Sequence, residues 1–132
     1  MKKSLFNKMW AFSRFKMQKA SREVGIRGWI EEKRWLEDAS MQEVADRIGI
    51  SRNSLSNYFI LNTGKPFLRW RKEMRIEEAK KLLLKEKDLP TGIIGEAVGI
   101  NDKSNFKRQF REVTGYTPAQ WRLKHQGHIS RQ

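Results

Sequence analysis

The sequence predicts an all-α fold made of two similar helical units joined by one long helix. Three observations predict it. No stretch alternates apolar and polar residues as a half-buried strand does, whereas many place apolar residues three and four apart. Two segments fifty residues apart match in residue type. Between them a periodic stretch runs from Pro66 to about Glu86 with no internal breaker.

The elements follow in chain order. Residues 1–22 hold seven basic residues and no acid, interleaved with Leu5, Phe6, Met9, Trp10, Phe12, Phe15 and Met17. This stretch can form a helix, but its apolar residues keep to no narrow face. Three roles compete for it: a linker or packed extra helix, an arm on the DNA backbone, and a membrane-surface segment. Gly25 and Gly28 mark a break. A helix from Trp29 to Asp38 comes next, with Trp29, Ile30, Leu36 and the stem of Lys33 on one face. Ser40-Met41-Gln42-Glu43 fits a capping box, in which serine and glutamate satisfy each other's backbone donors. Its helix stops at Gly49. Another starts at Ser51, a good N-cap, and ends at Gly64.

Pro66 suits the first turn of the long helix. Phe67, Trp70, Met74, Ile76, Ala79, Leu82 and Leu83 supply its apolar positions, and Asp88-Leu89-Pro90 ends it. Helices over Thr91–Val98 and Asn101–Thr114, then a short one after Thr117-Pro118, complete the chain. The domain division is therefore 1–28, a basic N-terminal segment; 29–64, a first unit; 65–87, a linker helix; 88–125, a second unit; and 126–132, a tail.

Composition narrows the function. The net charge is +13, from 28 Lys and Arg against 15 Asp and Glu. That excess favours an anionic partner, nucleic acid before membrane. There are no cysteines, which excludes disulfide frameworks and thiol catalysis. His125 and His128 lack the further ligands that Zn²⁺ needs. No cofactor is expected. No Ser/His/Asp set, phosphate loop or metal cluster accompanies the acids, so the chain is not read as an enzyme. No secretory signal or bilayer-spanning run is visible, and a cytoplasmic, nucleoid-associated protein is expected.

The repeat carries the argument. Val44-Ala45-Asp46-Arg47-Ile48-Gly49-Ile50 matches Ile94-Gly95-Glu96-Ala97-Val98-Gly99-Ile100. With one extra residue after the second glycine, Leu55 pairs with Phe106, Phe59 with Phe110, Gly64 with Gly115 and Trp70 with Trp121. Two helices crossing steeply need a small residue at the crossing, which Ala45 and Gly95 supply. The tight turn needs positive φ, which Gly49 and Gly99 adopt without steric cost. Leu55 and Phe59, like Phe106 and Phe110, lie one turn apart and anchor the second helix. This is a helix-turn-helix, present twice, whose second helix enters a DNA major groove.

Helix geometry selects the outward faces. In the first recognition helix Leu55, Tyr58, Phe59 and Asn62 form the inward stripe. Asn53, Ser56, Asn57 and Ile60 form the opposite one. Asparagine can pair bidentately with adenine. In the second, Phe106, Phe110 and Val113 point inward, and Ser104, Lys107, Arg108 and Arg111 point out, with Lys103 near the start. Arg108 is the best candidate for a bidentate contact with guanine O6 and N7. For Lys107 and Arg111 the geometry leaves base and phosphate both open. Trp29, Trp35, Trp70 and Trp121 read as core residues. Of Lys65, Arg69, Arg71, Lys72 and Arg75, those near the start of the linker helix are placed to reach phosphates. The later ones read as a solvated face paired with Glu73, Glu77 and Glu78.

Taken together, Val44-Ala45-x-x-Ile48-Gly49-Ile50-Ser51, Leu55-Ser56-x-x-Phe59 and Thr63-Gly64 resemble the DNA-binding domain of the AraC/XylS family of bacterial transcription regulators. So do Ile94-x-x-x-Val98-Gly99-Ile100, Phe106-x-x-x-Phe110 and Gly115-Tyr116-Thr117-Pro118-x-x-Trp121-Arg122. The resemblance spans roughly Trp29 to Lys124. It implies seven helices in two homeodomain-like three-helix units bridged by Pro66–Glu86. It also implies base contacts at Asn53, Ser56, Asn57, Lys103, Ser104, Lys107 and Arg108. Gly95 departs from the usual alanine, and Lys103 stands where proline is common. Residues 1–28 cannot build the family's effector-binding β-domain, so a stand-alone regulator or the C-terminal piece of a longer receptor is expected; the basic lead segment would suit the juxtamembrane stretch of a membrane-anchored one.

The expected function is sequence-specific binding of double-stranded promoter DNA and regulation of transcription. Each recognition helix takes a successive major groove of an asymmetric site. One monomer suffices, and RNA polymerase is a further partner. The alternative is a basic helical interaction or membrane-surface module.

Overall fold

The computed structural model describes residues 2–129 of the 132, with side chains from Ser4 to Gln126. The described residues form seven α-helices and one 3-10 turn, with no strand among them. They are α1 (Lys2–Glu31), the 3-10 turn (Arg34–Leu36), α2 (Met41–Ile48), α3 (Arg52–Thr63), α4 (Phe67–Lys85), α5 (Thr91–Ala97), α6 (Lys103–Thr114) and α7 (Pro118–Ile129). No helix among them is long and apolar enough to cross a membrane.

Two apolar cores form, and α4 serves both. The first gathers Ile26, Trp29, Trp35, Val44, Leu55 and Phe59 around Phe67 at the start of α4. The second gathers Ile94, Val98, Phe106, Phe110 and Trp121 around Ile76, Ala79 and Leu83 further along it. Leu36 packs against both. A helix buried at both ends in separate cores is held along its length, not only at its termini.

The caps explain most boundaries. Ser40 accepts from the amide of Glu43, which is one half of the capping box, while the Glu43 carboxylate lies towards Arg47 at 3.9 Å; Ser51 and Asp102 accept from Ser54 and Asn105. Gly49 and Gly99 turn at φ 82° and 88°.

The first forty residues depart from expectation. Gly25 and Gly28 do not break the chain, and α1 runs through both. A β-carbon on Gly25 would meet Ile48 Cγ2 at 2.9 Å. Gly25 is therefore a point where α1 and α2 approach closely. The expected Trp29–Asp38 helix is instead the end of α1 followed by the 3-10 turn. Lys33 stops the helix in the left-handed region, at φ 55°. The carbonyls of Trp35, Glu37 and Ala39 then turn towards α4.

They turn towards arginine. Arg75 donates from Nε to the Trp35 carbonyl at 2.7 Å and from Nη2 to that of Glu37 at 2.6 Å. Arg71 donates to the Ala39 carbonyl. These two side chains had read as phosphate contacts or solvated face; they are braces between α4 and the segment before α2. Burial pushes the Arg75 guanidinium down to about 10, with Arg71 adding to the effect and Asp38 opposing it. It remains charged at neutral pH; without it the Trp35 carbonyl would lose its partner, whereas that of Glu37 would keep the Ala39 amide at 3.0 Å. Asn101 Nδ2 donates to Asp38 Oδ2 at 2.7 Å, and Gly99 packs against Arg75 so tightly that a β-carbon there would come 3.1 Å from the guanidinium carbon. The turn of the second unit is thus keyed to the 3-10 segment of the first.

Candidate nucleic-acid interface

The sequence repeat is a repeat of contacts. Phe59 meets Trp70 with ring centroids 4.7 Å apart, and Phe110 meets Trp121 at 6.0 Å. Thr63 Oγ1 donates to the Phe59 carbonyl and accepts from the Lys65 amide. Thr114 does the same with Phe110 and Tyr116. Gly64 and Gly115 both adopt positive φ, 72° and 83°. Each unit therefore fixes its second helix from inside by an aromatic pair and from its C-terminal end by a threonine clasp.

With Leu55, Phe59, Phe106 and Phe110 at 0–1% exposure, the opposite faces are determined. Asn53 and Asn57 are exposed on α3, and Ser56 is half-buried. Lys103, Ser104, Lys107, Arg108 and Arg111 are all exposed on α6. Asn62, expected on the inward stripe, is exposed and ties its amide to the Tyr58 carbonyl at 2.8 Å. The last turn of α3 runs beyond the first core, whose members on this helix end at Phe59. Trp29, Trp35 and Trp121 are buried and Trp70 half-buried, as core residues should be.

The α6 face is cationic, and one of its cations is restrained. Arg108 donates from Nη1 to Glu112 Oε1 at 3.2 Å and from Nη2 to Asn105 Oδ1. Lys72 of α4 approaches the other oxygen of Glu112 at 3.5 Å. Glu112 thus stands between the recognition helix and the linker helix, and sequence reasoning gave it no role. The i, i+4 spacing of Arg108 and Glu112 was the available signal. Lys103, the first residue of α6, lays its stem over Gly92: a β-carbon there would meet Lys103 Cε at 2.9 Å. Proline suits a first helical position, and the bare backbone of Gly92 makes room for lysine instead.

The α3 face is neutral and amidic. Its neighbour is α1, whose Arg22 donates from Nη1 to Ser54 Oγ at 3.1 Å. Phe15, Lys19 and Arg22 share a cleft with Asn57 and Tyr58. Two cations of the N-terminal segment therefore flank the first recognition helix.

His125 stacks on Trp121 at 4.1 Å, with Nδ1 2.8 Å from the Trp121 carbonyl, and the His128 side chain lies outside the described residues. Among the described residues no group of three or more His, Asp or Glu could hold a metal ion. Arg122 reaches the carbonyls of Leu83, Leu89 and Glu86, so it closes the C-terminal end of α4.

Comparison with known proteins agrees with this geometry. A family model described as a helix-turn-helix domain matches residues 44–124. The arabinose operon regulatory protein of Escherichia coli (strain K12) is 37% identical over 79 residues, which are 60% of this chain and 27% of that protein. The chain thus spans only about a quarter of that relative's length. The C-terminal domain of the two-component response regulator yesN from Fusobacterium nucleatum superposes with a TM-score of 0.67 and 29% identity, covering 78% of this chain and 98% of that one. The DNA-binding domain of AdpA, a global transcriptional factor solved with a target DNA, has the same fold: TM-score 0.72, 21% identity, 84% of this chain and 97% of that one.

Proposed function

The chain belongs to the AraC/XylS family of helix-turn-helix transcription regulators, and from that premise we propose that it reads one asymmetric site on double-stranded promoter DNA as a monomer. α3 and α6 enter successive major grooves. Residues 29–64 and 88–125 are the two reading units, and 65–87 holds their separation. The observation that carries this reading is the unlike chemistry of two outward faces on like frames. One face offers Asn53, Ser56 and Asn57; the other offers Lys103, Ser104, Lys107, Arg108 and Arg111.

Amides and hydroxyls read adenine-rich edges, and a guanidinium reads guanine. Arg108 is the base reader of α6, and Arg111 holds backbone phosphate. The two half-sites then differ, and no palindrome is needed. Regulation follows from occupying the promoter, with RNA polymerase as the partner that senses occupancy.

Selection of bound duplexes from a random pool with the purified chain tests this reading. It should return one asymmetric motif with two blocks about one helical turn apart. Enrichment of a palindrome, of a single short block, or of nothing would overturn it.

A further inference from the structure

Every side chain from Ser4 to Ser21 is exposed, although α1 is a continuous helix. Leu5, Phe6, Met9, Trp10, Phe12 and Met17 are each 56–72% exposed. At 3.6 residues per turn these six fall within an arc of about 160°. Arg14, Lys8, Lys19 and Arg22 fall on the other side. Phe15 is the exception, and it turns into the cleft beside α3. Lys16, within the arc, lies over the Phe12 ring with Nζ 4.9 Å from its centroid. Arg14 similarly lies by Trp10 at 5.9 Å. Over the whole helix this amphipathicity is hidden, because Ile26 and Trp29 enter the core on a different face. The exposed apolar arc looks away from the side that Ile26 and Trp29 bury.

Charge decides what covers this face. The first 22 residues carry seven cations and no acid. A second copy of this stretch would bring seven more cations and no counter-charge. DNA would satisfy the cations and leave six large apolar side chains in water. An anionic bilayer surface takes both, burying the apolar arc at the acyl boundary while the cations meet the headgroups. No described helix can cross a membrane, so the helix lies in the plane.

We infer that residues 4–21 form an amphipathic anchor for anionic lipid, whose apolar arc lies on the side of α1 away from the cleft that Phe15 and Lys19 share with the first recognition helix. The inference does not depend on the DNA-reading assignment. The test is flotation of the full 132-residue chain with phosphatidylcholine vesicles, with and without phosphatidylglycerol, at fixed salt. The chain should float with the anionic vesicles only. The double variant F6E/W10E should bind them about 100-fold more weakly, since two apolar groups leave the acyl boundary. These side chains touch no core, so the variant should melt like the parent. K107A/R111A, which thins the α6 charge, should still float. Emission of the parent should shift to the blue on anionic vesicles, and Trp10→Phe should remove the shift. Equal flotation of F6E/W10E and the parent would mean that bulk positive charge holds the vesicles, and the anchor would be refuted. Absence of flotation would refute it too, as would a dimer dispersed by F6E/W10E in place of lipid binding.

Discussion

Gly95 lies so close beneath Phe106 that a β-carbon built on it would meet the ring's Cγ and Cδ2 at 2.8 Å. In the first unit the corresponding pair is Ala45 and Leu55, both fully buried. The missing methyl in the second unit and the larger side chain above it are one adjustment. The glycine that departs from the family's usual alanine is thereby explained by its neighbour, and not by the turn.

Gly95→Ala should therefore destabilise the fold, even though alanine is the better helix former by about 1 kcal/mol. Overpacking against a buried ring costs about 1–3 kcal/mol. In Gly95→Ala with Phe106→Leu the two changes should offset one another, recreating the pair found in the first unit. Thermal melting of both singles and the double gives the coupling. Simple additivity would show that the contact is relieved elsewhere.

The next expectation concerns Glu112. It holds Arg108 at 3.2 Å and approaches Lys72 at 3.5 Å, so a duplex must compete with it for both cations. The Arg108 pair is exposed and i, i+4, hence weak, about 0.2–1 kcal/mol. Glu112→Gln should tighten specific binding by about two- to fivefold. Titration of the selected duplex by fluorescence anisotropy measures it. Weaker binding would mean that Glu112 positions Arg108 for DNA and does not restrain it.

Base reading and phosphate holding separate by their sequence dependence. Arg108→Ala should cost about 1–3 kcal/mol on the selected site and relax preference at one base pair. Arg111→Ala should weaken every duplex alike and lower the salt slope by about one. Parallel salt titrations on specific and scrambled duplexes distinguish them. Equal losses on both duplexes for Arg108→Ala would reverse its assignment.

The repeat, the turns and the aromatic anchors were legible because they are local: a glycine at positive φ, a serine cap and apolar residues one turn apart each leave a short-range pattern. The braces were not legible. Arg71 and Arg75 look like any exposed cations on a periodic helix, and the carbonyls they serve lie 32 to 40 residues earlier in the chain. Gly25 misled for a related reason. As a residue type it signals a break, and only the nearness of Ile48 makes it a helix contact. The faces of α3 and α6 followed from their buried stripes, except where Asn62 left the stripe at the last turn.

The last prediction concerns spacing, and it rests on α4. Its 19 residues span about 28 Å at 1.5 Å per residue, against about 34 Å for one turn of B-DNA. Phe67 at one end and Leu83 at the other are at most 1% exposed in separate cores. Arg75, midway, fastens the helix to the carbonyls of Trp35 and Glu37. A helix so held cannot pivot without opening a core or stranding a carbonyl. The two recognition helices should therefore keep one separation and one phase. Inserting about 5 bp between the half-sites turns the second by half a helical turn and should abolish specific binding. About 10 bp restores the phase but exceeds the reach, and should abolish it too. Affinity of the monomer for duplexes with 0, 5 and 10 inserted base pairs measures this directly. Arg75→Met is the companion variant. It strands the Trp35 carbonyl at about 1–3 kcal/mol and should flatten the difference among the three duplexes while lowering the melting temperature. Equal, tight binding of the parent to all three would mean that only one helix reads the sequence, and the two-headed reading would fail.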